Sequence, residues 1–371
     1  NILNPLTLDP DPTPEREKGS MEPTTTSINS TRGEAMHAMI DYAMWIRRHL
    51  EQQPNSKALI EKGLDQMPEV REVLDEHLNI SKDPSLAIRS VYGQWFPWLN
   101  LLDTKWAQEN LNNIFPNEEK LREFNEAAWD AYIIFCAPYD EVFQILQKEY
   151  NRAVDSLIAE GKSKKTRPGN PSHHLIQHLM TFYWRGKLNL ESPMISKFWT
   201  EATDELREIA IDFIGRSLYN TKDKKIEPVI LEHFKLLWNK RVEIASKKPK
   251  IYEREISAFG WWFASRVFDA KWGLNQLYSS LRISHKIEPD HFVVEYLEEL
   301  VNEFPQEVIN CLELIVKDER DGWGVYSWRD SAKKILQTVM KTEFSQLAVN
   351  LINYLGSRGH LDFGELLSKQ K

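Results

Sequence analysis

Residues 140–160 read DEVFQILQKEYNRAVDSLIAE. Val142, Ile145, Leu146, Tyr150, Ala153, Val154, Leu157 and Ile158 recur at steps of three and four, with Glu149 the one polar residue on their stripe. At 3.6 residues per turn those positions share one side, so the stripe is the buried face of an amphipathic helix. The spacing predicts a single helix over 140–160, closed by Gly161. The same period governs most of the chain. Met36, Met39, Ile40, Ala43, Ile46 and Leu50 form a stripe behind Thr31 and Glu34, which stand at capping-box spacing. Pro68, Pro84, Pro193, Pro228, Pro289 and Pro305 stand near predicted helix starts, where a missing amide costs nothing. Further helices are predicted at 172–186, 193–200, 203–218, 228–246, 252–269, 273–284, 289–304, 305–317, 328–341 and 343–355. No run alternates as a strand does, and Asp321-Gly322 lacks the flanking alternation of a hairpin.

The expected fold is therefore all-α. Short turns and a pair spacing of roughly 35–45 residues suit an α-solenoid of HEAT- or TPR-like helical repeats. Pro5, Pro10, Pro12, Pro14 and Pro23 crowd residues 1–30, which read as an irregular, proline-rich linker or strap. Residues 31–160 form a first helical subarray, 161–171 a basic loop (GKSKKTRPGNP), and 172–371 a second subarray of helical repeats.

Composition bounds the class. The 371 residues carry a net charge of −8, and 42% hydrophobic with 27% charged residues place the chain among globular proteins. No apolar run reaches the roughly 18 residues of a membrane span. Two cysteines, Cys136 and Cys311, cannot build a disulfide framework, which points to a reducing cytoplasm. The chain opens on Asn1 without a signal peptide, and reads as part of something longer. Residues 222–254 hold ten Lys/Arg against five acids, whereas 288–313 hold eight acids and no Lys or Arg. Such segments read as solvated faces or charge-complementary docking surfaces. Nucleic acid is disfavoured, since no recognised binding module accompanies the basic stretch.

Candidate chemistry is sparse. His174 and His178 have zinc-chelating spacing without the glutamate of a zincin, and read as a polar helix edge. Arg71 and His77 have the spacing of a HEPN ribonuclease motif, but Glu69, Glu72, Asp75 and Glu76 around them would repel RNA. Asp318, Glu319 and Asp321 beside Trp323, Tyr326 and Trp328 are the acids an (α/α)6-toroid glycosidase would need. No nucleophile elbow or phosphate-binding loop is present. The thirteen tryptophans are the remaining signal, divided between helical core and recognition groove. The partner-binding candidates are Trp95, Trp98, Lys162, Lys164, Lys165, Arg167, Trp261, Trp262 and Trp323. No catalytic or metal-ligating residue is assigned.

Three stretches together carry a resemblance: NSTRGEAMHA at 29–38, PSLAIRSVYGQWFPW at 84–98 and LGSRGHLDF at 355–363. They resemble the C-terminal helical regions of very large bacterial antiphage proteins, the Avs-type STAND NTPases and related defence ATPases. A second reading of the likeness is the helical C-terminal part of another defence protein, such as a sirtuin-effector one. The resemblance implies a target-sensing segment that binds a phage protein, such as a terminase or portal subunit. Binding would drive self-association through the parent protein. It also implies that ATP and Mg belong to an upstream module, with no cofactor in this segment. The expectation is a non-enzymatic, cytoplasmic antiviral recognition module. The competing class is an all-α enzyme, the glycosidase ahead of the ribonuclease.

Overall fold

A computed structural model of the chain describes residues 3–19, 21–163, 169–221, 226–318 and 324–368, with 162, 163, 318 and 368 described by backbone alone. All regular structure among the described residues is helical. None of these helices is long and apolar enough to cross a membrane. The chain forms two compact units, Asn1–Phe182 and Tyr183–Lys371.

The first unit holds α1 (Leu3–Thr7), α2 (Pro14–Glu17), α3 (Pro23–Ser27), α4 (Thr31–Glu51), α5 (Ser56–Ile60), α6 (Pro68–Leu78) and α7 (Leu86–Gln94). They are followed by α8 (Phe96–Leu102), α9 (Thr104–Glu109), α10 (Leu111–Ile114), α11 (Arg122–Phe135), α12 (Asp140–Ile145), α13 (Gln147–Ser163) and α14 (Pro171–Trp184), whose last two residues are counted with the second unit. Its centre is α7. Every residue from Ala87 to Gly93 is buried, including Arg89, and α3, α4 and α11 all pack against this one helix. The close approach of α11 requires glycine. A Cβ on Gly93 would lie 1.9 Å from the Ala128 carbonyl oxygen. Gly33 likewise lets α4 pass the backbone of Ser27, which a Cβ would meet at 2.1 Å. Arg89 is held inside by the carbonyls of Leu78 (3.0 Å) and Asn113 (2.7 Å), and lies over the rings of Tyr92 and Phe124.

The proline-rich start is more ordered than its sequence predicts. It forms three short helices, and Pro14 and Pro23 occupy first helical positions. Prolines spaced this way open helices as readily as they exclude them. The segment also supplies caps. The Asp11 carboxylate accepts the Thr31 N–H (3.1 Å), and its carbonyl accepts the Arg32 N–H (2.8 Å), at the start of α4. The Glu17 carboxylate accepts the Ala87 N–H (2.8 Å) and the Ser85 hydroxyl (2.6 Å) at the start of α7. The expected Thr31–Glu34 capping box is accordingly not used. Ser30 is the cap residue and makes no side-chain cap bond, while Asp11 takes amides from a distance.

The predicted helix at 140–160 is two helices, separated at Leu146 where ψ turns to 13°. The amide bonds to Val142 and from Tyr150 persist across the break (both 2.9 Å), which is why the stripe stays in phase. Gly161 does not end α13, which continues to Ser163.

The second unit contains α15 (Pro193–Glu201), α16 (Asp204–Asn220), α17 (Pro228–Lys247), α18 (Glu253–Ser257), α19 (Gly260–Ala264) and α20 (Ala270–Ser284). It continues with α21 (Asp290–Leu300), α22 (Pro305–Asp318), α23 (Gly324–Val339), α24 (Ser345–Ser357) and α25 (Glu365–Ser368). The single helix expected at 252–269 is the pair α18 and α19. Here helices two apart in sequence pack together: α16 on α18, α18 on α20, α19 on α21, α20 on α22, α21 on α23 and α22 on α24. A buried ion triad lies at its beginning. Glu255, 0% exposed, binds Arg207 (2.5 Å) and Arg241 (3.0 Å to its second carboxylate contact), and Tyr252 lies against both guanidiniums. Carbonyls of Ile251 (3.0 Å) and Trp199 (3.3 Å) accept remaining N–H groups.

Candidate functional site

In the first unit Trp95 and Trp98 lie on one aromatic row. Trp95 stands at the junction of α7 and α8, half-buried, and its indole N–H donates to Nδ1 of His37 on α4 (2.7 Å). Nδ1 therefore carries a lone pair, and Nε2 faces the Ser27 hydroxyl at 3.1 Å. Burial holds the His37 pKa below its ordinary value, against the opposing pull of Glu34 and Asp41. Trp98 packs edge-on against Trp95 (5.3 Å between ring centres) and against Tyr139 (6.4 Å), which is 45% exposed.

A further tryptophan was not singled out by the sequence. Trp45 on α4 is 58% exposed and lies between the parallel rings of Tyr42 (6.1 Å) and His49 (6.2 Å). The Tyr42 hydroxyl donates to Glu69 (3.1 Å), which fixes the lower ring of the stack. The available signal was position. Trp45 falls off the stripe Met36, Met39, Ile40, Ala43, Ile46 and Leu50, and an off-stripe tryptophan on an amphipathic helix faces outward.

In the second unit Trp261 and Trp262 separate. Trp261 is half-buried, with the Arg216 guanidinium 4.6 Å above its ring and Tyr219 and Phe292 beside it. Trp262 is 0% exposed and donates to the Ile211 carbonyl (2.9 Å), so its assignment as a partner contact is corrected to core. Consecutive residues on a helix point about 100° apart, and only one of two can face solvent here. Lys164, Lys165, Arg167 and Trp323 lie outside the described residues, as does the side chain of Lys162.

The other candidates are absorbed by the fold. His178 is buried, with Nε2 facing the Cys136 carbonyl (2.9 Å) and Nδ1 facing the Tyr150 hydroxyl (2.7 Å), which pairs with Tyr132 (3.0 Å). Both imidazole nitrogens are thereby committed to the core. His174 is part-buried, and burial with His173 beside it lowers its pKa. Arg71 is held by Asp65 and by Asp75 (3.7 Å), whereas His77 is buried against Asp83 (2.7 Å), so the two do not converge. Burial raises the pKa of both cysteine thiols. Among the described residues no three His, Cys, Asp or Glu side chains gather as a metal site. Glu319 and Asp321, with the Asp318 side chain, lie outside the described residues.

No family model, no curated protein and no solved structure matches the chain.

Several charges of the two segments are paired. Arg254 meets Glu208 (2.6 Å), Lys235 meets Glu232 (2.8 Å), and Lys247 meets Glu243 (3.2 Å). In the acidic segment Glu298 takes Lys334 (2.7 Å), and Glu299 takes Arg266. Exposed pairs of this kind contribute about 0–1 kcal/mol each, so they shape the surface more than they hold it. What the surfaces offer chemically is flat aromatic area: the Tyr42–Trp45–His49 stack, the Trp98–Tyr139 edge and the Arg216-covered face of Trp261.

Proposed function

We propose that the chain is a non-catalytic recognition module that binds a protein partner through fixed aromatic side chains. The observation that carries this reading is Trp45, 58% exposed yet held between Tyr42 and His49. An exposed indole forgoes the stabilisation of burial, and stacking removes the rotamer freedom it would otherwise lose on binding. Tryptophans so placed are the residue type most often found at interface hot spots. The succession of helices two apart in the second unit supports a repeat-like array, the architecture that presents extended binding surfaces.

In the context suggested by 29–38, 84–98 and 355–363, the partner is a phage protein and the module is the sensing part of a larger antiphage NTPase. ATP and Mg bind elsewhere in that protein, and the chain acts in the cytoplasm. Partner binding and self-assembly then favour each other by the same factor. The test is affinity capture by the full-length protein from phage-infected cells, with W45A beside the parent sequence. The expected result is retention of a phage component by the parent protein and a loss of about 30-fold in affinity in W45A, a hot-spot effect of about 2 kcal/mol. Absence of any retained phage component, together with absence of protection against phage, would overturn the proposal.

A further inference from the structure

A cavity of about 310 Å³ lies between α11 and α13 in the first unit, with residues 116–119 on its wall. It gives a place to Glu149, the one polar residue on the apolar stripe of 140–160. Glu149 is 7% exposed and pairs with Arg152. The Arg152 guanidinium also donates to the Asn117 side chain (2.6 Å) and to the carbonyls of Phe115 and Pro116 (both 3.4 Å). From α11 the Asn125 amide donates to Glu149 (3.5 Å). Apolar residues of similar volume often serve stability as well as a buried ion pair, so stability alone does not call for a carboxylate on this stripe. Trp129 also lines the cavity and is 5% exposed, packed by the rings of Phe115 (6.4 Å), Tyr132 (5.5 Å) and Tyr150 (5.1 Å). Its indole N–H meets no acceptor among the described residues yet keeps access to solvent, so it opens on the cavity. Buried indoles usually find a partner. Trp95, Trp106, Trp238, Trp262 and Trp328 each give theirs to a named acceptor.

We infer that this cavity binds a neutral polyhydroxylated ligand, one or two sugar rings in size. Its charges are already matched. Arg152 is met by Glu149, Arg122 by Glu126 (2.8 Å) and Glu118 by Lys120 (2.8 Å), and Glu160 is engaged as well. A charged ligand would have to displace one of these partners. A hydroxyl needs only what the pairs leave over, because it donates to a spare carboxylate lone pair and accepts from a spare N–H. The Trp129 N–H and the exposed Ser156 hydroxyl add hydrogen-bonding groups outside the ion pairs. A planar base would need an open aromatic face to stack on, and Trp129 at 5% exposure offers an edge alone. The volume stands at the lower end of ligand sites, which begin near about 300 Å³. This inference does not rest on the reading of the chain as a protein-binding module.

The test follows the indole N–H signals of the whole chain by NMR, with nitrogen-15-labelled tryptophan. Glucose, N-acetylglucosamine, maltose and N,N′-diacetylchitobiose are titrated in turn. W129F identifies the Trp129 signal by its loss. At least one of these sugars is expected to move that signal and leave the other indoles in place. N125A/S156A, at a half-buried and an exposed position, is expected to weaken that sugar about tenfold, about 1.4 kcal/mol. Unchanged positions of the other indole signals establish that the variant remains folded. The inference is overturned if no sugar moves the Trp129 signal, or if a sugar moves all the indoles alike. Undiminished binding by the folded N125A/S156A overturns it too. So does movement of the signal by spermidine or inorganic phosphate and by none of the sugars, which would make the occupant an ion. Failure of the phage capture experiment leaves these results standing, so the two readings fail separately.

Discussion

The two units bury their helices in different ways. The first gathers around α7, which α3, α4 and α11 share as a common neighbour. The second proceeds as a succession in which helices two apart meet, from α16 through α24. A hub makes the packing of α3, α4 and α11 depend on one helix. A succession divides stability into neighbouring terms, each of which can fail locally. Their buried arginines are held differently. Arg89 in α7 relies on carbonyls and rings, whereas Arg207 and Arg241 share Glu255.

The largest test of that contrast is E255Q. It leaves two guanidiniums buried without their carboxylate, and a cost of about 3–5 kcal/mol is expected in thermal or denaturant unfolding. Hydrogen exchange should place the lost protection around α15 to α18, with α22 to α24 retained. Simultaneous loss as far as α24 would show that the second unit is as cooperative as a hub. Replacing the whole triad with R207M/E255L/R241M removes the charges together, and should cost far less than E255Q alone.

G93A comes next. Its Cβ cannot fit against Ala128 without moving α11, and a loss of about 3 kcal/mol or somewhat less is expected. Protection should fall together in α3, α4, α7 and α11. A loss confined to α11 would break the description of α7 as a hub.

D11A and E17A remove the remote caps of α4 and α7. Each should cost about 1 kcal/mol, measured as a shift in the denaturant midpoint without a change in slope. A larger effect for E17A than for D11A would sharpen the case for α7, because its start belongs to the more shared helix.

The smallest effect concerns pH. The His37 pKa is lowered in the folded state by burial, so the unfolded chain binds the proton more readily. Stability should fall as pH drops below the ordinary imidazole value of about 6.5, and the loss is complete below the lowered folded value. Protonation also takes the Nδ1 lone pair from Trp95, so indole fluorescence should change over the same range in the parent and not in H37Q.

Helical class was legible because apolar stripes repeat at 3.6 residues, and Pro68, Pro193, Pro228 and Pro305 do open helices. The break at Leu146 was hidden because it leaves the stripe in phase. The start of the chain reads ambiguously because proline excludes a helix interior yet suits its first residue, as at Pro14 and Pro23. The triad was invisible to any local window, since Arg207 and Glu255 are 48 residues apart and neither sits in a motif. Of the candidate site, Trp98 and Trp261 are surface residues in part, and Trp262 is core. Periodicity decides such pairs only when the helix boundaries are known, and those of α18 and α19 were not.

The remote caps bear on the order of synthesis. A ribosome releases Asp11 before Thr31, and Glu17 long before Ala87. Each of the two long-range carboxylates is thus already outside when the helix it serves is being made. Translation brings the cap first and the helix after, so α4 and α7 meet a waiting partner as soon as their first turns emerge.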